Sequence, residues 1–297
     1  MQKNNYSRGV VLADLKKEEL YRLSQLAKNA ATNGGNILMK HYGQLKSIEN
    51  KGRIGDLVTD ADIACEKHII NYLQAETPDI SMLAEESGLK GGAEGLCWCL
   101  DPLDGTTNFA HGYPFFGTSI GLTYQNIPIL GAISIPFLQE IYWGAPGIGV
   151  FCNENHIKVS SSNQLINSLL VTGFAYDRCE VKDNNYAEFC YLTHRSRGVR
   201  RGGAAAIDLA FVASGRLDGY WERGLSKWDL AAGVALVELA GGRVSNYPEG
   251  DFDLEQGRVL ASNQGIHKEL KSELSKVIPL EGHSYGASEL GAMNPKD

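Results

Sequence analysis

The chain has 297 residues, 43% of them hydrophobic, which is enough to bury the core of one compact domain or of two fused halves. Its 28 basic and 35 acidic residues give a net charge of -7 without long charged blocks, which argues against nonspecific binding to nucleic acid or to an anionic membrane surface. The sequence has no run of about 18 apolar residues, and its start lacks the apolar segment of a signal peptide, so we expect a cytoplasmic protein.

The six cysteines stand at positions 65, 97, 99, 152, 179 and 190. None of them forms a Cys-x-x-Cys spacing, and the Cys97-Trp98-Cys99 pair matches neither a zinc site nor a redox motif. We therefore expect reduced thiols that pack as small apolar groups.

The first third of the chain predicts two helices around a basic loop. Residues 1–16 are polar and irregular, and we expect them to be loosely ordered. Apolar residues at spacings of three and four predict a helix from Lys17 to about Tyr42. The following stretch, residues 51–55, is basic and rich in glycine, which is typical of a loop that moves over a site, and it begins with Lys51.

Acidic residues recur where the next elements begin and end. Thr59 followed by Asp62 fits a capping box that starts a second helix, and this role accounts for one carboxylate. Asp56 and Asp60 lie outside that role and suggest a second acidic contribution to a site. Residues 80–84 predict a strand that runs into Glu85, and the carboxyl ends of such strands are where open α/β sheets place their sites.

The central motif is Leu-Asp-Pro-Leu-Asp-Gly-Thr-Thr-Asn-Phe, residues 100–109, which follows a short apolar strand. Pro102 and Gly105 predict a turn that holds Asp101 and Asp104 close together. Clustered carboxylates repel unless a cation or a shared proton compensates, and backbone N–H groups after Gly105 would suit an anion. The motif favours a metal and a phosphate side by side, although an ordinary Asp-Pro turn before a Thr-capped helix also fits.

The remaining sequence predicts a mixed succession of strands and helices. Residues 116–153 favour a meander of antiparallel strands, and small residues such as Gly203 and Ala205 lead into a later helix. Asp229 lies in the first turn of a further helix, where a carboxylate is favoured by the helix dipole. Residues 278–297 are polar, and we expect a disordered tail.

Four motifs, in this order, resemble the inositol monophosphatase family of lithium-sensitive, magnesium-dependent phosphatases. The motifs are Asp56-x-x-Thr59-x-x-Asp62, Glu85-Glu86-Ser87, Asp101 to Phe109, and Trp228-Asp229-x-Ala231-Ala232-Gly233. The resemblance covers residues 17–277, with an N-terminal half to about residue 160 and a C-terminal half after it. It implies an α/β fold, a layered α/β/α/β/α sandwich of the inositol monophosphatase and fructose-1,6-bisphosphatase type, and a homodimer.

The resemblance also implies a binding site for two or three Mg2+ ions. Glu85, Asp101 and the backbone carbonyl of Leu103 would hold the first ion. Asp101, Asp104 and Asp229 would hold the second, and Glu85 would reach a hydrated third. A ligand set made only of oxygen atoms suits a hard cation.

Further roles follow from the same resemblance. Thr106, oriented by Asp62, would help to deprotonate the attacking water. Backbone N–H groups of Gly105, Thr106 and Thr107 would bind the phosphate. Gly203, Ala205 and Glu222 would contact the rest of the substrate, and Lys51 would belong to the mobile loop.

The expected substrate is a small phosphorylated polyol or sugar, with inositol 1-phosphate first. Two positions depart from the family pattern: Ala84, which should be tolerated, and the segment 173–177, which leaves fructose 1,6-bisphosphate, histidinol phosphate and other sugar phosphates open. A second class of function also stays open, because some bacterial relatives act as factors associated with transcription or ribosomal RNA. We expect no membrane partner and no nucleic acid partner.

Overall fold

The structure is a computed structural model that describes residues 15–53, 55–92 and 95–278. The loose N-terminus expected for residues 1–16 lies mostly outside these ranges. The disordered tail expected for residues 278–297 lies outside them except for its first residue. Within the described ranges, none of the helices combines the length and the hydropathy needed to cross a bilayer.

Two helices and a hairpin begin the fold. Helix α1 spans Lys17–His41 and helix α2 spans Asp60–Glu76, as the apolar periodicity and the capping box predict. Between them, β1 (Ile48–Asn50) and β2 (Leu57–Thr59) pair antiparallel. The described residues of the basic stretch, 51–53 and 55, lie between these two strands and therefore belong to a hairpin loop.

The first large sheet has eight strands in the order β10-β9-β8-β7-β6-β5-β3-β4. Its strands are β3 (Ser81–Ala84), β4 (Gly88–Lys90), β5 (Leu96–Asp104), β6 (Gly117–Tyr124), β7 (Ile127–Ile135), β8 (Glu140–Ala145), β9 (Gly149–Cys152) and β10 (Asn155–His156). The expected antiparallel meander is confirmed from β6 to β10. Because β3 and β5 are parallel neighbours, the carboxyl end of β3 places Glu85 beside the acidic end of β5.

The turn predicted for the central motif is wrong in one respect, because β5 continues through both aspartates. The register with β6 shifts between Asp101 and Asp104, and Pro102 lies within this irregularity, where its missing N–H is tolerated. The Asp101 side chain accepts a 3.0 Å hydrogen bond from the Leu103 N–H. Short helix α3 (Thr106–Ala110) then starts after Gly105, whose φ of 86° and close approach to the Phe115 carbonyl favour glycine.

The second sheet has five strands in the order β12-β11-β13-β15-β14. Its strands are β11 (Leu169–Thr172), β12 (Gly198–Arg200), β13 (Gly219–Arg223), β14 (Arg243–Ser245) and β15 (Arg258–Ser262). The helices around it are α4 (Tyr186–Thr193), α5 (Ala205–Ala213), α6 (Lys227–Leu239) and α7 (Gln264–Leu274). The strands of one sheet therefore all lie between residues 81 and 156, and the strands of the other lie between residues 169 and 262.

The helices and sheets stack in five layers. Helices α1 and α2 pack on one face of the first sheet, and α5 and α6 pack on its other face. Helices α5 and α6 also contact the second sheet, whose outer face carries α4 and α7. Separate apolar clusters fill these interfaces. The expected α/β/α/β/α sandwich is confirmed, while the division into halves near residue 160 stays a prediction.

Candidate active site

A cavity of about 450 Å³ opens where the acidic end of β5 meets the start of α5, α6 and the hairpin loop. The sequence-predicted residues that line it are Lys51, Glu85, Asp101, Leu103, Asp104, Gly105, Thr106, Thr107, Gly203, Ala205, Glu222 and Asp229. Asp62 lies behind Thr106 and is fully buried. Residues from widely separated parts of the sequence thus reach one cavity.

The carboxylates in this cavity are desolvated and repel one another. Burial raises the pKa of Asp101 and Asp229 well above its usual range, and the charge of Glu85 adds to both shifts. Burial also raises the pKa of Asp104 to about 7, although hydrogen bonds from α5 oppose the shift. The ionised cluster is therefore costly in the absence of a compensating cation.

Two of these aspartates cap helices while they face the cavity. The backbone N–H groups of Ala205 and Ala206 donate to Asp104 at 3.1 and 2.8 Å, so Asp104 caps α5. Asp229 accepts from the Ser226 N–H at 2.7 Å within a capping box that starts α6. Helix formation therefore fixes the positions of both carboxylates.

Lys51 places a positive charge beside the carboxylates at the carboxyl end of β3. Its ammonium group donates to Glu85 at 2.9 Å and to Glu86 at 2.5 Å. Burial opposes the charged form of Lys51, but the two glutamates outweigh it and raise the pKa of the ammonium group. The hairpin loop is thereby tied to the carboxyl end of β3.

The donor set suits a hard metal ion, although its side chains are not arranged as a complete coordination shell. The four buried or half-buried carboxylates provide only oxygen atoms, which Mg2+ prefers. Among the described residues, no group of three His, Cys, Asp or Glu side chains is arranged to hold a metal ion as it stands. Hydrogen bonds to Asp101, Asp104 and Asp229, and the ion pair of Lys51 with Glu85, occupy part of this set.

Thr106 and Asp62 form a buried hydroxyl–carboxylate pair. Thr106 Oγ1 lies 3.3 Å from Asp62 Oδ1 and 2.9 Å from the Leu103 carbonyl oxygen, and its single proton serves one acceptor at a time. Asp62 Oδ2 accepts from the N–H and hydroxyl of Thr59, which leaves Oδ1 for Thr106. Burial raises the pKa of Asp62 to about 7.

Glu222 forms the opposite wall of the cavity. The Tyr220 hydroxyl donates to Glu222 at 2.6 Å, and burial raises the pKa of this carboxyl to about 7. A Cβ atom at Gly173 would lie 2.0 Å from Glu222 Oε2, so only glycine leaves room for the carboxylate. Gly173 begins the segment 173–177 that departs from the family pattern, and its missing side chain leaves room for this carboxylate.

Several further residues line the cavity, and the sequence associates only one of them, Asp56, with a site. They are Arg53, Gly55, Asp56, Gly173, Phe174, Ala175, Tyr176, Arg178, Arg201, Ala204, Gly224, Leu225, Ser226 and Trp228. The basic loop and the Arg-Arg-Gly-Gly run drew attention to Arg53 and Arg201 without giving either a role. Tyr176 lies in the segment 173–177, which the sequence marks as a departure from the family pattern without giving Tyr176 itself a role.

The six cysteines have free thiols, as the sequence predicts. Four of them are buried or half-buried, whereas Cys179 and Cys190 are exposed. Burial raises the pKa of Cys65, whose thiol donates to the Pro102 carbonyl at 3.2 Å beneath the central motif. The four buried or half-buried thiols therefore contribute packing, and the expectation that the cysteines pack as small apolar groups is wrong for Cys179 and Cys190.

Comparison with known proteins agrees with the geometry. Residues 19–279 match the inositol monophosphatase family. The chain is 51% identical to an inositol-1-monophosphatase of Synechocystis sp. over 252 residues, which cover 84% of this chain and 88% of the relative. It is 35% identical to the Nus factor SuhB of Haemophilus influenzae, over 88% of this chain and 97% of that one.

A solved structure is also similar to this chain. The structure of inositol monophosphatase from Anabaena (Nostoc) sp. PCC 7120 superimposes with a TM-score of 0.81 and 47% identity. The match covers 88% of this chain and 98% of the Anabaena chain. The agreement of motifs, fold and site shows that this chain belongs to the inositol monophosphatase family and is a phosphoric monoester hydrolase.

Proposed function

We propose that the protein hydrolyses inositol 1-phosphate to inositol and phosphate, in a reaction that depends on Mg2+ and forms no phosphoenzyme. One observation carries the proposal: Asp101, Asp104 and Asp229 converge with Glu85 on one cavity beside Thr106, in a chain of this family. The relatives named inositol-1-monophosphatase support this choice of substrate. A homodimer and a cytoplasmic location are further expectations of the proposal.

The residues fit Mg2+ in number and chemistry. Glu85, Asp101 and the Leu103 carbonyl would hold one ion, and Asp101, Asp104 and Asp229 another. When bound, Mg2+ supplies positive charge that neutralises phosphate oxygens and acidifies the attacking water. The raised pKa values of Asp101 and Asp229 are what a cation-free carboxylate cluster is expected to show.

Thr106 and Asp62 are suited to move the proton of that water. The Thr106 hydroxyl would accept it at Oγ1 while its own proton lies on the path to Asp62 Oδ1, 3.3 Å away. Thr59 holds the second oxygen of Asp62 and fixes the carboxylate in place. The N–H groups of Gly105, Thr106 and Thr107 would bind phosphate oxygens at the start of α3.

The alcohol part of the substrate would lie against Glu222. The Tyr220 hydroxyl occupies one acceptor position of the Glu222 carboxylate, which retains acceptor capacity for hydroxyl groups of a polyol. Backbone groups of Gly203 and Ala205 border the same region of the cavity. This wall offers hydrogen-bond acceptors to the hydroxyl groups of the leaving alcohol, and Arg201 borders it as well.

The test is phosphate release by the purified protein from a panel of substrates, with Mg2+ and with EDTA. The panel contains inositol 1-phosphate, fructose 1,6-bisphosphate, histidinol phosphate and adenosine 3',5'-bisphosphate, and Li+ is added to each active reaction. The proposal predicts that inositol 1-phosphate has the highest kcat/KM and that EDTA and Li+ inhibit its turnover. Preference for another phosphate would retain the metal site and change the substrate.

A second candidate function is an interaction role, because relatives at 35% and 37% identity carry the name Nus factor SuhB. An acidic net charge of -7 disfavours direct binding to RNA, so the role would involve protein partners. An Asp104→Asn variant separates the two functions in a deletion strain. Rescue by this variant, once phosphate release is lost in vitro, would place the interaction role first.

A further inference from the structure

One wall of the cavity, residues 173–178, is bound tightly to the end of β13. We call this segment the Tyr176 wall. Two of its alternate residues meet the end of the strand: Gly173 packs against the Glu222 carboxylate, and a Cβ at Gly224, directly after the strand, would lie 2.6 Å from the Ala175 Cβ. Since neither approach leaves room for an added atom, the spacing between wall and strand is fixed.

Arg223 makes the third contact between β13 and the Tyr176 wall, and this contact consists of hydrogen bonds. Its guanidinium donates to Asp177 Oδ1 at 2.9 Å from Nη1 and 2.8 Å from Nη2, and Nε donates to the Asp183 carbonyl. The Arg223 side chain is only 10% exposed and that of Asp177 is 25% exposed. A paired guanidinium with this burial holds its partner far more firmly than a surface ion pair does.

The turn that holds Asp177 against Arg223 directs the Tyr176 side chain towards the cavity. The Arg178 N–H donates to the Ala175 carbonyl at 3.1 Å, which closes a turn with Tyr176 and Asp177 at its centre. Asp177 faces Arg223, whereas Tyr176 lines the cavity and its ring lies 3.9 Å from where a Cβ at Gly55 would be. The Tyr176 ring is therefore a cavity surface between the metal-side carboxylates and the hairpin loop.

Asn185 closes the far end of the segment. It adopts a left-handed φ of 70°, and its amide donates to Thr172 Oγ1 and to the Gly173 carbonyl, both at 2.7 Å. It also accepts from the Trp221 indole at 2.6 Å. With Asn185 at one end and Arg223 at the middle, the wall is held to β13 along its length.

We propose that Arg223, through Asp177, is a positioning residue that sets the Tyr176 ring against the alcohol part of the substrate and so determines which phosphate monoesters are accepted. This inference rests on the proposed phosphatase function. The Tyr176 ring lines the same cavity as Glu222, and an aromatic face together with a carboxylate suits the C–H and O–H groups of a polyol ring. Neither Arg223 nor Asp177 is among the described residues that line the cavity, so we expect Arg223 to act on the substrate only through Tyr176 and to leave phosphate binding little changed.

The experiment measures KM and kcat for inositol 1-phosphate, and competitive inhibition by inorganic phosphate, in Tyr176→Ala, Arg223→Met and the double variant. We expect each single variant to raise KM about 10-fold with kcat within about 2-fold, and the double variant to match the singles. The phosphate inhibition constant is expected to stay within about 2-fold of wild type. Arg223→Lys, which keeps the charge, should restore part of the KM.

Arg216→Met is the matched control, because Arg216 forms a bidentate pair with Glu140 that does not line the cavity. Its KM should equal that of the wild type. If Arg223→Met fails to fold, Asp177→Asn removes the same pair from its more exposed side. Multiplicative KM effects in the double variant, a changed phosphate inhibition constant, or an effect equal to that of Arg216→Met would overturn the inference. A wild-type protein without phosphatase activity would instead refute the proposed function.

Discussion

Asp104 caps a helix that begins about a hundred residues later in the chain, because its Oδ2 accepts a 2.8 Å hydrogen bond from the Ala206 N–H. One carboxylate thus joins the end of β5 to the start of α5, and both elements border the cavity. Asp104, which we propose as a metal ligand, therefore also connects a strand of the first sheet to helix α5.

Substitution of Asp104 is expected to separate these two roles. Asp104→Asn retains an oxygen acceptor for the α5 N–H groups, so we expect the free energy of unfolding in EDTA to change by less than about 1 kcal/mol. Asp104→Ala lacks the acceptor and should be about 1 kcal/mol less stable than Asp104→Asn. Both should reduce phosphate release more than about 100-fold. Chemical denaturation and a phosphate assay measure the two effects, and equal stability of the two variants would contradict the capping role.

Thr106 is predicted to act through its hydroxyl group. Thr106→Val preserves the shape of the side chain but removes Oγ1, and we expect kcat to fall by roughly 10²- to 10⁴-fold, the range for a lost proton-transfer group. Thr106→Ser keeps the hydroxyl and should retain most of the activity. Steady-state kinetics at saturating Mg2+ compare the two, and a Thr106→Val enzyme with wild-type kcat would exclude Thr106 from proton transfer.

The space beside Glu222 is predicted to require glycine at position 173. In Gly173→Ala the new methyl group would meet Glu222 Oε2 at 2.0 Å, so the carboxylate must leave its place in the wall. Overpacking of this kind costs about 1–3 kcal/mol, and we expect a lower melting temperature together with a raised KM. Gly92→Ala is the control, since an added Cβ there meets nothing within 4 Å. Similar kinetics for the two variants would show that Glu222 does not contact the substrate.

The stability of the cation-free protein is predicted to decrease as the pH rises. The pKa values of Asp62 and Glu222 are raised by burial to about 7 from ordinary values of 3.8 and 4.5. A carboxyl group with a raised folded-state pKa stabilises the fold at low pH, and this contribution is lost as the pH rises through about 7. Melting temperatures in EDTA should therefore fall between about pH 4 and about pH 7.

Mg2+ provides the control for this pH dependence. A bound cation offsets the repulsion among Asp101, Asp104 and Asp229, so the decrease in melting temperature with pH should become smaller. Differential scanning calorimetry with and without Mg2+ makes the comparison. A melting temperature that rises with pH in EDTA, or a slope that Mg2+ leaves unchanged, would count against a buried cation-binding cluster.

The sequence predicted the elements whose signals are local. The capping box of Thr59 and Asp62, the apolar spacing of α1 and the meander after residue 116 each depend on neighbours in the chain, and all are confirmed. The central motif was assigned as a turn because Pro102 and Gly105 are turn residues. Pairing with β6 overrides that preference and keeps Asp101 and Asp104 in the strand.

Contacts between distant segments were not predictable in this way. The Asp104 bond to α5, the fit of Gly173 against Glu222 and the Arg223–Asp177 pair each join residues at least 46 positions apart. No periodicity or spacing encodes such pairs. The roles of Glu222, Gly203 and Ala205 came from family resemblance alone, and the structure adds that all of them border the cavity.

The most direct test of the account is phosphate release from inositol 1-phosphate as a function of Mg2+ concentration, in the wild type and in Asp101→Asn. Asp101 is chosen because it is proposed to contact both metal ions. The account predicts saturable activation of the wild type by Mg2+, no turnover in EDTA, and a loss of more than about 100-fold in Asp101→Asn at every Mg2+ concentration. Turnover in EDTA, or an Asp101→Asn enzyme with wild-type activity and the same Mg2+ dependence, would contradict the metal-dependent site.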